Sequence, residues 1–239
     1  ILEIENISLQ FGGVKALDSV TYHINQGEIF SLIGPNGAGK TSMLNCISGL
    51  YQPTTGSIRY KGQEIINMKP YNRTTLGMAR AFQNIALFAH MSVLDNLKLG
   101  RHSLMKAGIF SGGLYVGKAS KEEIDHRQKV EEVIEFLDLQ DIRHTPVGTL
   151  SYGLQKRVEV GRALALNPEL ILLDEPMAGM NNAEKDMMAR FILDMHEVMG
   201  TTVVLIEHDL GVVMSLSDHI AVLDFGKLIG FGTPKEIQQ

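Results

Sequence analysis

The stretch GPNGAGKT at residues 34–41 decides the reading of this chain. It satisfies the phosphate-loop pattern in full: two glycines bracket four residues and are followed by lysine and a hydroxyl residue. Gly34, Gly37 and Gly39 let backbone N–H groups converge on phosphate oxygens with no side chain in the way. A helix opening there adds the positive end of its dipole. Lys40 is placed to neutralise the β- and γ-phosphates, and Thr41 to offer its hydroxyl to Mg²⁺, which prefers hard oxygen ligands. Pro35, Asn36, Ala38 and Ser42 complete the loop that would wrap the nucleotide. The apolar run 27–33 enters the motif, and Met43, Leu44, Ile47 and Leu50 follow it at helical spacing. The sequence therefore predicts strand, loop and helix in that order.

Working outward, LSYGLQKR (150–157) is a short turn opening a helix with no nucleotide of its own to serve. That mismatch implies that two copies work together. LILLDEP (170–176) and TTVVLIEH (201–208) are continuous apolar runs, as expected of central parallel strands buried on both faces. Between them Met187, Met188, Phe191, Ile192, Met195 and Met199 recur at helical spacing, with Gly200 as the stop. Strands alternating with helices predict an α/β P-loop NTPase core with a mixed, mainly parallel sheet. The β-rich runs vanish over 84–150, where a charged helix at 121–139 carries Val130, Val133, Ile134 and Leu137 on one face. We expect a helical subdomain over 84–158, inserted into a core of 1–83 and 159–239. The glycine-rich piece 108–117 reads as a flexible connection inside the insert.

Composition narrows the classes of function. The chain has 239 residues, 44% of them apolar, enough for one ordered domain with an inserted subdomain. A net charge of −5 offers no broad basic surface, so nucleic acid is not an expected partner. The single cysteine, Cys46, excludes an intramolecular disulfide and reads as a small packed hydrophobe in a reducing cytosol. No apolar run reaches the roughly 18 to 20 residues of a membrane span, and the start lacks the pattern of an export signal. The histidines show no metal-ligand spacing, so Mg²⁺ held mostly by nucleotide is the ion expected.

Asp174 and Glu175 end a strand, where ligands bind in open α/β sheets. Asp174 can hold Mg²⁺, and Glu175 can orient or deprotonate the water that attacks the γ-phosphate. His208 ends the next apolar strand, and Gln83 lies in ARAFQN (79–84). Taken alone, His208 is equally a satisfied polar residue and Gln83 an ordinary strand-end glutamine.

GPNGAGKT, the FQN containing Gln83, LSYGLQKR, LILLDEP and the EHD containing His208, in that order, resemble the ATP-binding cassette family over essentially the whole chain. The resemblance implies a head-to-tail dimer that sandwiches ATP between the phosphate loop of one subunit and the signature turn of the other. It implies that Ser151 and Gly153 contact the partner's γ-phosphate, that Gln83 touches Mg²⁺ and the attacking water, and that His208 contacts the γ-phosphate. Phe11, in LQFGG, sits where the family often places an aromatic that stacks on adenine; a core aromatic is the competing reading. Tyr152 and Leu154 depart from the commonest signature, as does MAGMN (177–181) from a SALD-type sequence.

FGGVKALD (11–18), ARAFQN, LSYG, MAGMN and the long insert narrow the resemblance to the ATPase subunits of branched-chain amino acid importers and their relatives. This implies integral membrane permease subunits as partners, a second copy or a paralogous ATPase across the dimer, and indirect service to a periplasmic or extracellular solute-binding protein. It also implies a cytoplasmic location at the inner face of the membrane. Ile85, Leu87 and Phe88 are either a surface receiving a cytoplasmic permease helix or subdomain core. No C-terminal regulatory domain is expected after 226–234. The competing functions are a soluble clamp on nucleic acid or the ribosome, and a nucleotide-binding regulator without turnover, which the presence of Glu175, Gln83 and His208 disfavours.

Overall fold

The computed structural model describes residues 1–83, 85–101 and 118–239, with 118–123 described by their backbone alone. The first unit joins Ile1–Gln83 to Glu169–Gln239. It opens with β1 (Leu2–Phe11), β2 (Val14–Ile24), β3 (Ile29–Ile33), α1 (Lys40–Ser48), β4 (Thr55–Tyr60), β5 (Gln63–Glu64), α2 (Pro70–Thr75) and β6 (Met78–Ala81). The second unit, Asn84–Pro168, holds α3 (Val93–Arg101), α4 (Lys118–Phe136) and α5 (Tyr152–Leu164). The chain then re-enters the first unit with β7 (Leu170–Asp174), α6 (Asn182–Glu197), β8 (Thr202–Ile206), α7 (Leu210–Leu216), β9 (His219–Asp224), β10 (Lys227–Gly232) and α8 (Pro234–Ile237).

Among the described residues, six strands form one sheet in the order β10-β9-β3-β8-β7-β6. All neighbours are parallel except the edge strand β10, which pairs antiparallel with β9. Every residue of β3, β7 and β8 is buried, which is why these runs are continuously apolar rather than alternating. Because the strands are parallel, the ends of β3, β7 and β8 bring the phosphate loop, Asp174 with Glu175, and His208 to the same edge. A second, antiparallel sheet runs β2-β1-β4-β5. Its Leu2, Ile4, Val20 and Ile58 share one core with Phe30 and Leu32 of β3, Met43, Leu44 and Ile47 of α1, and Leu172 and Val204. Full burial of each such side chain contributes about 1.5–3 kcal/mol. Residues of the other parity, Ile33 and Ile220, pack with Val213 of α7.

The expected helices form with adjusted limits. Gly49 takes φ +82 and ends α1, so Leu50 lies beyond it and is exposed. On α6 Met188, Phe191, Ile192 and Met195 are buried, while Met187 and, past the helix end, Met199 are exposed, so the methionine stripe is core on one side only. Asn181 and Glu184 cap α6 reciprocally, Asn181 Oδ1 accepting the Glu184 N–H at 3.0 Å and Glu184 Oε2 accepting the Asn181 N–H at 3.1 Å.

In the second unit Val130, Val133 and Ile134 of α4 and Leu137 just beyond it are all buried. A Cβ on Gly161 of α5 would come within 2.8 Å of Leu137 Cδ1 and 3.0 Å of Leu97 Cδ2. Within this unit, Asn84–Pro168, the close approach ties α5 to α3 and to Leu137 just beyond α4. The glycine-rich piece 108–117 and Asn84 lie outside the described residues.

Candidate functional site

The phosphate loop is held by backbone geometry that only glycine tolerates. Gly34, Gly37 and Gly39 adopt φ of +145, +82 and +103. A Cβ on Gly34 would overlap the Leu223 carbonyl oxygen, and one on Gly39 would sit 2.6 Å from Ala16 O and 2.9 Å from Leu17 Cδ2. Gly37 has open space around it, so its φ alone demands glycine. The β9–β10 turn fastens the loop from behind: the Gly226 N–H donates to Ala38 O at 3.0 Å, and the Asp18 N–H to Gly226 O at 2.8 Å. The Lys40 ammonium donates to Gly34 O at 2.7 Å and Pro35 O at 3.0 Å. Burial lowers its pKa, opposed by the nearby Glu175 and Asp174 carboxylates.

A cavity of about 300 Å³ is lined by residues 36–42 together with Gln83 and Glu175. Asn36, Gly37, Ala38, Gly39, Lys40, Thr41 and Ser42 thus share one concave surface with the expected base. Pro35 lies just outside that lining and accepts from Lys40. Glu175 is the hub: its Oε1 lies 2.7 Å from His208 Nε2, and its Oε2 accepts from Gln83 Nε2 at 2.9 Å. Two side chains distant in sequence, Gln83 and His208, therefore meet on one carboxylate. Glu175 itself takes φ +51, a left-handed conformation rare for a residue with a long side chain.

Asp174, its side chain 1% exposed, is paired with Arg80, whose Nη2 donates to Asp174 Oδ2 at 2.9 Å. Nη1 of Arg80 donates to Asn45 Oδ1 at 2.7 Å and Ser48 Oγ at 2.8 Å on α1. The guanidinium also lies 4.8 Å from the centre of the Phe82 ring. Thr41, Asp174 and Gln83 offer hard oxygens of the kind Mg²⁺ takes. Among the described residues no group of three His, Cys, Asp or Glu could cage a metal by itself. That donor chemistry fits an ion whose remaining ligands are phosphate and water.

Phe11, at the end of β1, is 48% exposed and meets the Tyr51 ring edge-on, centroids 5.1 Å apart. It is not a core aromatic. In the second unit, Ser151 is exposed as the N-cap of α5, its Oγ accepting the Leu154 N–H at 3.4 Å, and Gly153 is buried in the first turn. Ile85 and Leu87 are half-buried and Phe88 is 56% exposed, so Phe88 is not core either. The Ala86 N–H donates to Glu159 Oε1 at 3.3 Å. Cys46 is fully buried, which pushes its thiol up to about 12.

Sequence reasoning passed over Arg80, Glu207 and Gly226. The first two carried a usable signal, a charge inside the otherwise apolar strand runs MARA and TTVVLIEH, because a buried charge requires partners. No described helix is long and apolar enough to cross a membrane.

Comparison with known proteins agrees with this geometry. Residues 17–178 match the family model described as ABC transporter. The high-affinity branched-chain amino acid transport ATP-binding protein BraF of Pseudomonas aeruginosa is 36% identical over 238 residues, covering 100% of this chain and 93% of that protein. A crystal structure of a nucleotide-free ATP-binding cassette from an ABC transporter superposes with a TM-score of 0.87 at 34% identity, covering 100% of this chain and 93% of that one. The dimeric structure of a bacterial ABC transporter cassette gives a TM-score of 0.82 at 28% identity, covering 98% of this chain and 99% of that one.

Proposed function

The chain belongs to the ABC transporter family of ATPases, and on that premise we propose that it drives import of branched-chain amino acids or a related small solute. It acts at the cytoplasmic face of the membrane with integral permease subunits, which would meet it at Ile85, Leu87 and Phe88, and it serves a solute-binding protein indirectly. Hydrolysis takes place in a dimer with a second copy or a paralogue. Ser151 and Gly153 of the partner would close on the γ-phosphate held by the phosphate loop, and Phe11 would stack on the adenine.

The observation that carries this reading is the convergence of Gln83 and His208 on the Glu175 carboxylate at the rim of the phosphate-loop cavity. Glu175 orients a water and takes its proton as the oxygen bonds to the γ-phosphorus and the bond to the ADP oxygen breaks. Gln83 steers that water, while His208 and Lys40 stabilise the charge on the transferring group. Thr41, Asp174 and Gln83 would hold Mg²⁺, which neutralises phosphate charge when bound.

Replacing Glu175 with Gln tests the assignment. ATP binding should persist, an ATP-bound dimer should accumulate in gel filtration, and turnover should fall at least about 100-fold. Parental turnover would discard Glu175 as the base. Loss of leucine, isoleucine and valine uptake in cells carrying the variant supports the solute class, and unchanged uptake of all three counts against it.

A further inference from the structure

Glu207 is a buried acid, 5% exposed, for which the reading above has no use. Its Oε1 accepts the Met177 N–H at 2.8 Å and its Oε2 accepts the His208 N–H at 3.2 Å. Met177 lies two residues after Glu175. One carboxylate therefore ties the loop that carries the base to the loop that carries its histidine partner. The Glu175 backbone needs such support, because φ +51 persists in a non-glycine residue only when the surroundings enforce it. On one side the Glu175 N–H donates to Ile206 O at 2.9 Å, and on the other Glu207 holds Met177. Burial raises the Glu207 pKa while the two N–H donors oppose the rise. An apolar side chain of similar volume would fill the space without that desolvation cost.

We propose that Glu207 is a positioning residue for ATP hydrolysis: by bridging the Met177 and His208 amides it sets the 2.7 Å meeting of Glu175 with His208. The inference rests on Glu175 being the base. It needs both carboxylate oxygens, since glutamine keeps the volume but offers one acceptor and turns an NH₂ group toward the other amide.

Glu207→Gln should lower kcat on the order of 10- to 100-fold and leave the KM for ATP within about twofold. A merely structural role would weaken binding along with turnover. In a Glu175→Gln background the same change should slow single-turnover hydrolysis less than about twofold, because the group it positions is already gone. Losses that multiply in the double variant, or parental kcat in Glu207→Gln beside an inactive Glu175→Gln, overturn the proposal. Parental activity in Glu175→Gln instead removes the base assignment itself. Hydrogen exchange on the unmodified chain decides the matter should Glu207→Gln not fold: slow amides at Met177 and His208 support the bridge, and exchange at the rate of an unstructured peptide overturns it.

Discussion

Arg80 and Asp174 form an ion pair closed to solvent, with Nη2 and Oδ2 2.9 Å apart and side chains 7% and 1% exposed. The same guanidinium reaches Asn45 and Ser48, so the strand before Gln83, the helix after the phosphate loop and the carboxylate at the end of β7 share one charged group.

Arg80→Ala should destabilise the fold by about 3 kcal/mol, since removing one member of a buried pair leaves the other charge uncompensated. Arg80→Lys should cost about 1–2 kcal/mol, because a point charge cannot serve Asp174, Asn45 and Ser48 together. Urea unfolding of the three proteins checks the order. Equal stability of parent and Arg80→Ala would contradict the burial argument.

The three loop glycines should separate by mechanism. Gly34→Ala and Gly39→Ala place a methyl against backbone at Leu223 and Ala16, and each should cost more than about 4 kcal/mol or abolish folding. Gly37→Ala meets open space and strains only its φ, so it should cost about 1–2 kcal/mol and act mainly on nucleotide affinity. Unfolding midpoints alongside ATP titrations distinguish the two classes.

Alkaline lability is expected from one corner of the core. The Cys46 thiol is raised from 9.0 to about 12 by burial, and the Tyr22 and Tyr60 hydroxyls are pushed up for the same reason. These are acids whose folded forms hold the proton more tightly than the unfolded chain does. Their contribution is complete below about pH 9 and is lost as pH climbs toward 12. Urea midpoints should therefore fall between pH 8 and pH 10.5. Because Cys46 is fully buried and its thiol holds its proton, a thiol-specific dye at pH 8 should label it at the rate of unfolding.

Much of this molecule was legible before its structure because its signals were local. The phosphate loop, β7 and β8 announce themselves through glycine spacing and unbroken apolar runs, and the α4 face through a helical period. What escaped depended on partners far along the chain. Arg80 and Asp174 are separated by 94 residues, and nothing near Arg80 says which acid it meets. The charge of Glu207 in its apolar run says that it needs a partner, and only the fold says that the partner is the Met177 amide. The extent of the second unit is hard to read for a related reason: the residues that decide where α5 packs, Leu97 and Leu137, lie well upstream of Gly161. Phe11 was undecided between core and surface because burial depends on what the β1–β2 turn faces, which no period encodes.

The seating of the phosphate loop on β9 and its following turn bears on how the protein is made. Gly34 packs against Leu223 and Ala38 bonds Gly226, so the nucleotide cradle leans on residues translated nearly two hundred codons later. A nascent chain paused on the ribosome after LILLDEP would display the phosphate loop, the turn at Ser151 and Glu175, yet lack the buttress that shapes the first of them. In such an intermediate the loop would lack its backing, and its final geometry would arrive only as β9 and β10 emerge from the exit tunnel.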